Sequence, residues 1–118
     1  MIGNIGNVKI YVWTRPIDFR KGMDGLVGLI LSEFRQDPLA GSIFIFRSKR
    51  ADRLKMLFWD GTGLVLVMKR LEDHVFTWPS TTNEAFSLSL AQFQALFEGT
   101  DWRRVVPLNT RAPQAFNA

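Results

Sequence analysis

Three apolar runs lie between residues 43 and 70, and the breaks between them constrain the fold more than any other feature of this sequence. The runs are Ile43 to Arg47, Arg53 to Trp59 and Leu64 to Arg70. They are short and rich in Phe, Ile, Val and Leu, which is typical of β-strands. Asp60-Gly61, followed by Gly63, is a strong turn signal between the last two runs. The pattern therefore predicts a three-stranded antiparallel meander.

Other patterns add elements on both sides of the meander. Val8 to Trp13 alternates in polarity and predicts a first strand. Lys21 to Gln36 has apolar residues at helical spacing, and Ser89 to Gly99 begins with the spacing of a capping box, so both predict amphipathic helices. Val75 to Trp78 predicts a short edge strand. We therefore expect an α+β fold, with an antiparallel β-meander of about four to five strands and two amphipathic helices.

Length and composition fit one globular domain. The chain has 118 residues, which is enough for a single core and too few for two. We expect residues 1–104 to form the domain and residues 105–118 to be a mobile tail. No apolar run approaches the roughly 18 residues of a membrane span, and the N-terminus lacks a signal-peptide pattern. The sequence therefore predicts a cytoplasmic protein that has no membrane partner.

The net charge is concentrated in one segment. The nine residues from Arg47 to Lys55 contain five Lys or Arg and one Asp, which accounts for the whole formal charge of +4. A compact basic patch attracts polyanions, whereas the alternative is a charged hairpin tip that only keeps the protein soluble. Further cations precede the first helix or end the third meander strand. We predict that nine residues bind nucleic acid: Arg20, Lys21, Arg47, Lys49, Arg50, Arg53, Lys55, Lys69 and Arg70.

Catalytic patterns are missing from the sequence. The chain has no Cys and one His, which excludes disulfides, thiolate catalysis and Cys or His metal sites. A metal-dependent nuclease needs converging carboxylates, but the acidic residues here fall in separate turns, caps and loops. No helix-turn-helix or zinc-finger pattern is present either. We therefore expect a protein that is not an enzyme, needs no cofactor or metal, and binds DNA with low sequence specificity.

Side-chain alternation predicts that the two faces of the meander differ. If Phe44, Phe46 and Phe58 face the helices, the opposite face is apolar at one end and basic at the other. The apolar end is predicted to be a partner surface for a second copy or another protein. The alternative is that one helix packs on each face, because continuous apolar strands usually indicate burial on both sides. The predicted partner surface consists of Ile45, Leu57, Trp59, Val65 and Val67.

Seven short motifs, in this order and with this spacing, resemble a known family from about residue 8 to Trp102. They are Asp18-Phe-Arg-Lys-Gly-Met-Asp-Gly-Leu26, Asp37-Pro38 with Gly41, Phe44-Ile-Phe-Arg47, Leu54-Lys55, Trp59-Asp-Gly-Thr-Gly63, Lys69-Arg-Leu71 and Phe76-Thr-Trp-Pro79. They are similar to the second-reading-frame accessory protein, TnpB type, of the insertion-sequence-sixty-six family of bacterial mobile elements. This TnpB is distinct from the RNA-guided nuclease that shares the label.

The resemblance implies a small protein that is needed alongside a separate, larger transposase. That transposase does the cutting and joining of DNA. The resemblance brings no catalytic residues, because the family has no established active site to carry over. The expected function is therefore to help a cognate transposase assemble on element DNA, as a monomer or a homodimer. The alternative is a protein adaptor that contacts only the transposase or another accessory protein, in which case the basic patch would dock on an acidic surface.

Overall fold

A five-stranded sheet in the order β4-β3-β2-β1-β5 lies at the centre of the protein. The computed structural model describes residues 8–81 and 83–106, so residues 107–118 of the predicted tail lie outside the described part. β1 is parallel to β2, and the other neighbouring pairs are antiparallel. The α+β fold class is confirmed, with a mixed sheet. The strands are β1 (Ile10–Trp13), β2 (Ile43–Arg47), β3 (Arg53–Trp59), β4 (Leu64–Arg70) and β5 (Ala85–Leu88).

The first helix connects β1 to β2. It consists of α1 (Met23–Leu29) and a π-helical turn (Ile30–Phe34), and lies inside the predicted bounds. Arg35 ends it in a left-handed conformation, with φ 55°. Parallel strands require a crossover connection, and this helix supplies it by packing across one face of the sheet. Leu26 and Ile30 are its fully buried residues, and both pack in the cluster on this face.

The second helix, α2 (Leu90–Glu98), follows β5 directly. The Ser89 hydroxyl accepts a hydrogen bond from the Gln92 N–H at 3.1 Å, and the Gln92 carboxamide accepts one from the Ser89 N–H at 2.9 Å. This is the capping box that the sequence predicts. Gly99 ends the helix with φ 88°, a conformation that glycine adopts without strain. No helix in residues 8–81 and 83–106 has the length and hydropathy to cross a membrane.

Each face of the sheet carries its own apolar cluster. The α1-side cluster buries Trp13, Ile17, Leu26, Ile30, Phe34, Phe44, Phe46 and Leu57. The α2-side cluster buries Ile10, Val12, Ile43, Ile45, Leu54, Phe58, Phe76, Leu88, Leu96 and Trp102. The interpretation in which one helix packs on each face is therefore confirmed.

The predicted distribution of side chains between the two faces is wrong for β3. Phe44 pairs with Leu57 in the observed register, so these two residues share the α1 face, and Phe58 lies on the α2 face. The turn between β2 and β3 contains Ala51 in a left-handed conformation, with φ 59°. No glycine in the sequence signals this conformation. A shift of one residue in the register exchanges the two faces of a strand, which explains the error.

The five residues of the predicted partner surface do not lie on one face of the sheet. Ile45, Val65 and Val67 lie on the α2 face, whereas Leu57 and Trp59 lie on the α1 face. Ile45 and Leu57 have no solvent exposure, so they belong to the core. The other three residues are half-buried.

The segment Val75 to Trp78 does not form the predicted edge strand. Phe76 is buried in the α2-side cluster, and its N–H donates to a backbone carbonyl of the β2–β3 turn at 2.7 Å. The Trp78 indole donates to the Trp13 carbonyl at 2.9 Å. These bonds attach the segment to the β2–β3 turn and to the end of β1, so it is an irregular connection and not a strand. The short strand at the β1 side of the sheet is instead β5, which pairs with β1.

Candidate nucleic-acid interface

The turn between β2 and β3 holds the basic segment in a defined geometry. The Ser48 N–H donates to the Arg53 carbonyl at 3.0 Å. The Ser48 hydroxyl donates to Asp52 at 3.1 Å and accepts from the Arg53 N–H at 3.2 Å. Ser48 is 2% exposed, so these bonds close the turn from inside. Lys49 and Arg50 are consequently exposed on its outer side.

Lys55 is buried and bonded to its own chain. Its side-chain Nζ donates to the Phe19 and Lys21 carbonyl oxygens, both at 2.7 Å, and the residue is 9% exposed. Burial and the nearby Arg53 charge lower the pKa of Lys55, and Asp18 opposes this shift. Lys55 therefore attaches the loop before α1 to β3, and it is not presented to solvent as a phosphate contact.

Arg47 and Lys69 are likewise bonded to backbone carbonyls. The Arg47 guanidinium donates to the carbonyls of Thr14 at 3.4 Å and Lys49 at 3.1 Å, and burial lowers its pKa. The Lys69 Nζ donates to the Phe97 carbonyl and lies 4.4 Å from the centre of the Phe97 ring. Lys69 also lies on the α2 face, away from Arg53. The structure therefore does not bring all nine predicted cations into one exposed surface.

Six of the predicted cations remain exposed or half-exposed near the β2–β3 turn, and we call them the tip surface. The loop before α1, which Lys55 binds, carries Arg20 and Lys21. The pairing of β3 with the end of β4 places Arg70 opposite Arg53. The tip surface consists of Arg20, Lys21, Lys49, Arg50, Arg53 and Arg70.

A cleft of about 430 Å³ separates the loop before α1 from the turn. Three cations of the tip surface line it, which are Arg20, Lys49 and Arg53. Arg20 lies 2.7 Å from Asp18, and this ion pair lowers the pKa of Asp18 and raises that of Arg20. The Arg20 side chain is 90% exposed, so the pair is weak and the guanidinium can exchange to another anion.

Two cations of the tip surface face each other across the β3–β4 pair. Arg53 and Arg70 are directly opposite in the register, and like charges at this spacing repel. Asp52 lies 3.8 Å from the Arg53 Nε, and Glu72 lies 3.0 Å from the Arg70 Nε. The Arg70–Glu72 pair is largely exposed and therefore weak, and the Arg53–Asp52 contact is long for an ion pair. A phosphate between the two guanidinium groups would relieve their repulsion.

Phe19, which is not among the residues predicted to bind nucleic acid, organises this region. The Arg53 guanidinium carbon lies 5.0 Å from the centre of its ring, and the Lys55 Nζ lies 4.6 Å away. Both distances are typical of cation–π contacts. The one available signal is an aromatic residue directly before Arg20-Lys21. Phe19 thus positions Arg53 at the edge of the cleft.

Several of the acidic residues accept hydrogen bonds within turns. Within the described ranges, no three His, Cys, Asp or Glu side chains lie close enough to bind one. Hydrogen bonds lower the pKa values of three carboxylates: from Arg20 to Asp18, from turn N–H groups to Asp60, and from Arg103 to Asp101. A carboxylate with a lowered pKa stabilises the folded state only while it is ionised.

Acid should therefore destabilise the protein through Asp18, Asp60 and Asp101. Their stabilisation is complete above the unfolded pKa of about 3.9 and is lost as the pH falls through the lower folded values. We expect the midpoint of urea unfolding to fall as the pH is lowered from about 5 to about 2. The variant Asp18→Asn/Asp60→Asn/Asp101→Asn should show a flatter dependence. A variant with the wild-type slope would contradict this assignment.

Comparisons with known proteins match nearly all of the described chain. A family model described as "IS66 Orf2 like protein" matches residues 8–107. Two similar proteins come from Sinorhizobium fredii (strain NBRC 101917 / NGR234) and are named uncharacterized proteins y4jC and y4hO. The first is 46% identical over 105 residues, covering 89% of this chain and 90% of its own length. The second is 36% identical over 97 residues, covering 82% and 84%. No solved structure matches the chain.

Proposed function

Because the chain belongs to the IS66 Orf2-like family of transposition accessory proteins, we propose that it contacts element DNA and helps a separate transposase assemble there. The observation that carries this proposal is the tip surface. It gathers six cations at one end of the sheet, around a cleft and a rigid turn. A concentrated positive surface of this kind attracts the phosphate backbone of DNA.

The proposed contact is with phosphates rather than base edges. In the described part of the chain, both helices contribute buried residues to the clusters on the sheet faces, so neither is a separate module for reading the major groove. Phosphate contacts position a protein on DNA but carry no sequence information. We accordingly propose that the protein has no catalytic role and that the transposase selects the DNA sequence.

Duplex DNA should bind weakly, without sequence preference, and with a strong dependence on salt. Contact with four to six phosphates corresponds to a slope of about −4 to −5 in log affinity against log salt concentration. Fluorescence anisotropy with two duplexes of unrelated sequence measures both properties. A slope near zero, or no binding at low salt, would contradict DNA contact and favour the adaptor alternative.

The same titration should lose its signal for the variant Lys49→Glu/Arg50→Glu. Both side chains are exposed, so the fold should remain intact while like charges are placed against phosphate. The matched control is Lys9→Glu/Arg35→Glu, which changes the net charge equally at exposed residues outside the tip surface. Equal losses for the two variants would indicate attraction by net charge alone, and the tip surface would lose its role.

The partner contact needs a separate measurement. The protein should be retained by immobilised cognate transposase, with and without nuclease treatment. Retention that disappears with nuclease indicates assembly through DNA, as proposed. Retention that survives nuclease and also survives Lys49→Glu/Arg50→Glu indicates a protein adaptor that does not use the tip surface.

A further inference from the structure

The outer edge of β4 is not paired with another strand in residues 8–81 and 83–106. β4 is last in the strand order and bonds only to β3. Two hydrogen bonds show which residues in and beside β4 direct their backbone groups toward β3. They run from the Leu71 N–H to the Asp52 carbonyl at 2.8 Å and from the Asp60 N–H to the Gly63 carbonyl at 3.0 Å. In an antiparallel pair, alternate residues direct their backbone groups toward the neighbouring strand. The residues of β4 that direct theirs outward are Leu64, Leu66, Met68 and Arg70.

The β4 edge lacks the features that usually prevent strands from pairing. Such features are short length, proline, bulges and mobile charged side chains. β4 has seven residues, no proline and a continuous register with β3. Of its two cations, Lys69 donates to the Phe97 carbonyl, and Arg70 is the last residue of the strand, beside Glu72. The opposite edge of the sheet is β5, which has only four residues.

We propose that two copies of the chain pair in antiparallel orientation through β4 and form a two-fold symmetric dimer. Outward-facing residues must pair with outward-facing residues. A register centred on Val67 satisfies this for all four, since Leu64 then pairs with Arg70 and Leu66 with Met68 of the other copy. Registers shifted by two residues leave one of the outward-facing residues without a partner.

The side chains also fit this register. Met68 is 56% exposed, and it packs beside Leu66 of the other copy, which removes apolar surface from water. Lys69 lies opposite Val65 and Arg70 lies opposite Leu64, so no cation faces a cation across the interface. The interface is isologous and closed, which gives a dimer rather than a filament.

The dimer does not depend on the proposed DNA contact. It joins the two sheets into one and, because the strands are antiparallel, places the two tip surfaces at opposite ends of the combined sheet. A dimer that binds no DNA would leave the present inference intact and remove the proposed function. DNA binding by a protein that stays monomeric would support the proposed function and overturn the β4 dimer.

A single cysteine tests the register directly, because the chain has no cysteine of its own. Two copies of Val67 lie opposite each other as a non-hydrogen-bonded pair, with Cα atoms about 4.5 Å apart, which is within the range for a disulfide. We expect Val67→Cys to form a disulfide-linked dimer under mild oxidation. The control Val65→Cys lies on the same face, but its two copies are about 13 Å apart and should stay unlinked. Equal crosslinking of both variants, or none in Val67→Cys, would overturn the proposal.

Sedimentation of the full-length chain gives an independent measurement. The wild-type protein should show a concentration-dependent dimer. Met68→Pro removes an N–H that points away from β3, so it should spare the β3–β4 bonds and weaken the dimer by about tenfold or more. A wild-type protein that is monomeric throughout overturns the proposal, even if β4 binds a strand of the transposase. A dimer unaffected by Met68→Pro overturns it as well, because the interface then lies elsewhere.

Discussion

Replacing Phe34 by Ala should lower the free energy of unfolding by about 3–5 kcal/mol, as large truncations of buried aromatic residues do. Phe34 is 9% exposed and comes from the π-helical turn. Its ring centre lies 5.1 Å from that of Trp13, 5.2 Å from that of Phe44 and 6.0 Å from that of Phe46. The truncation would leave a cavity among three large rings on β1 and β2, which cannot close without moving the strands.

Leu31→Ala is the matched control for this prediction. Leu31 lies in the same helical turn but is 57% exposed, so its truncation should change the free energy of unfolding by about 0.5 kcal/mol or less. Urea unfolding followed by tryptophan fluorescence and by circular dichroism measures both variants. Similar losses for the two variants would show that the π-helical turn is not packed as described.

Lys55→Met should lower the free energy of unfolding by about 2–4 kcal/mol, because it removes two charge-assisted hydrogen bonds. The carbonyls of Phe19 and Lys21 would lose the donor that holds them at 2.7 Å. Methionine keeps most of the side-chain volume, so the loss measures the hydrogen bonds rather than a cavity. The loop before α1 should become mobile, which would appear as faster amide exchange in residues 17–22.

The comparison with Lys49→Met separates structure from DNA contact. Lys49 is exposed, so its loss should change stability by about 0.5 kcal/mol or less while weakening the proposed DNA binding. Folded Lys55→Met protein, measured well below its melting temperature, should keep most of its DNA affinity. If Lys55→Met instead kept full stability and lost DNA affinity, Lys55 would be a direct contact, as the sequence alone predicts.

The elements with local signals could be predicted from the sequence. Asp60-Gly61 predicted the turn before β4, and the Ser89–Gln92 spacing predicted the start of α2. The face of β3 could not be predicted, because its register depends on Ala51, whose left-handed conformation has no local signal. β5 was missed for a different reason. It is four residues long and is held mainly by pairing with β1, a contact distant in sequence.

The candidate site was predictable as a charge cluster but not residue by residue. The concentration of cations near the turn follows directly from the order of residues. Which cations bind backbone carbonyls does not, because Lys55 reaches Phe19 across 36 positions and Lys69 reaches Phe97 across 28. A count of charges therefore overestimates the number of side chains that face solvent. Three of the nine predicted cations are engaged by backbone carbonyls in this way.

Backbone hydrogen bonds from the segment after β4 stabilise the turn between β2 and β3. The Leu71 N–H donates to the Asp52 carbonyl at 2.8 Å, and the Phe76 N–H donates to the Ala51 carbonyl at 2.7 Å. The backbone under Lys49 and Arg50 is thus ordered before any ligand arrives. The conformational entropy of that segment is lost during folding rather than during binding. An encounter with a polyanion would then have to order only the side chains, so association should be limited by diffusion and orientation rather than by a rearrangement of the loop.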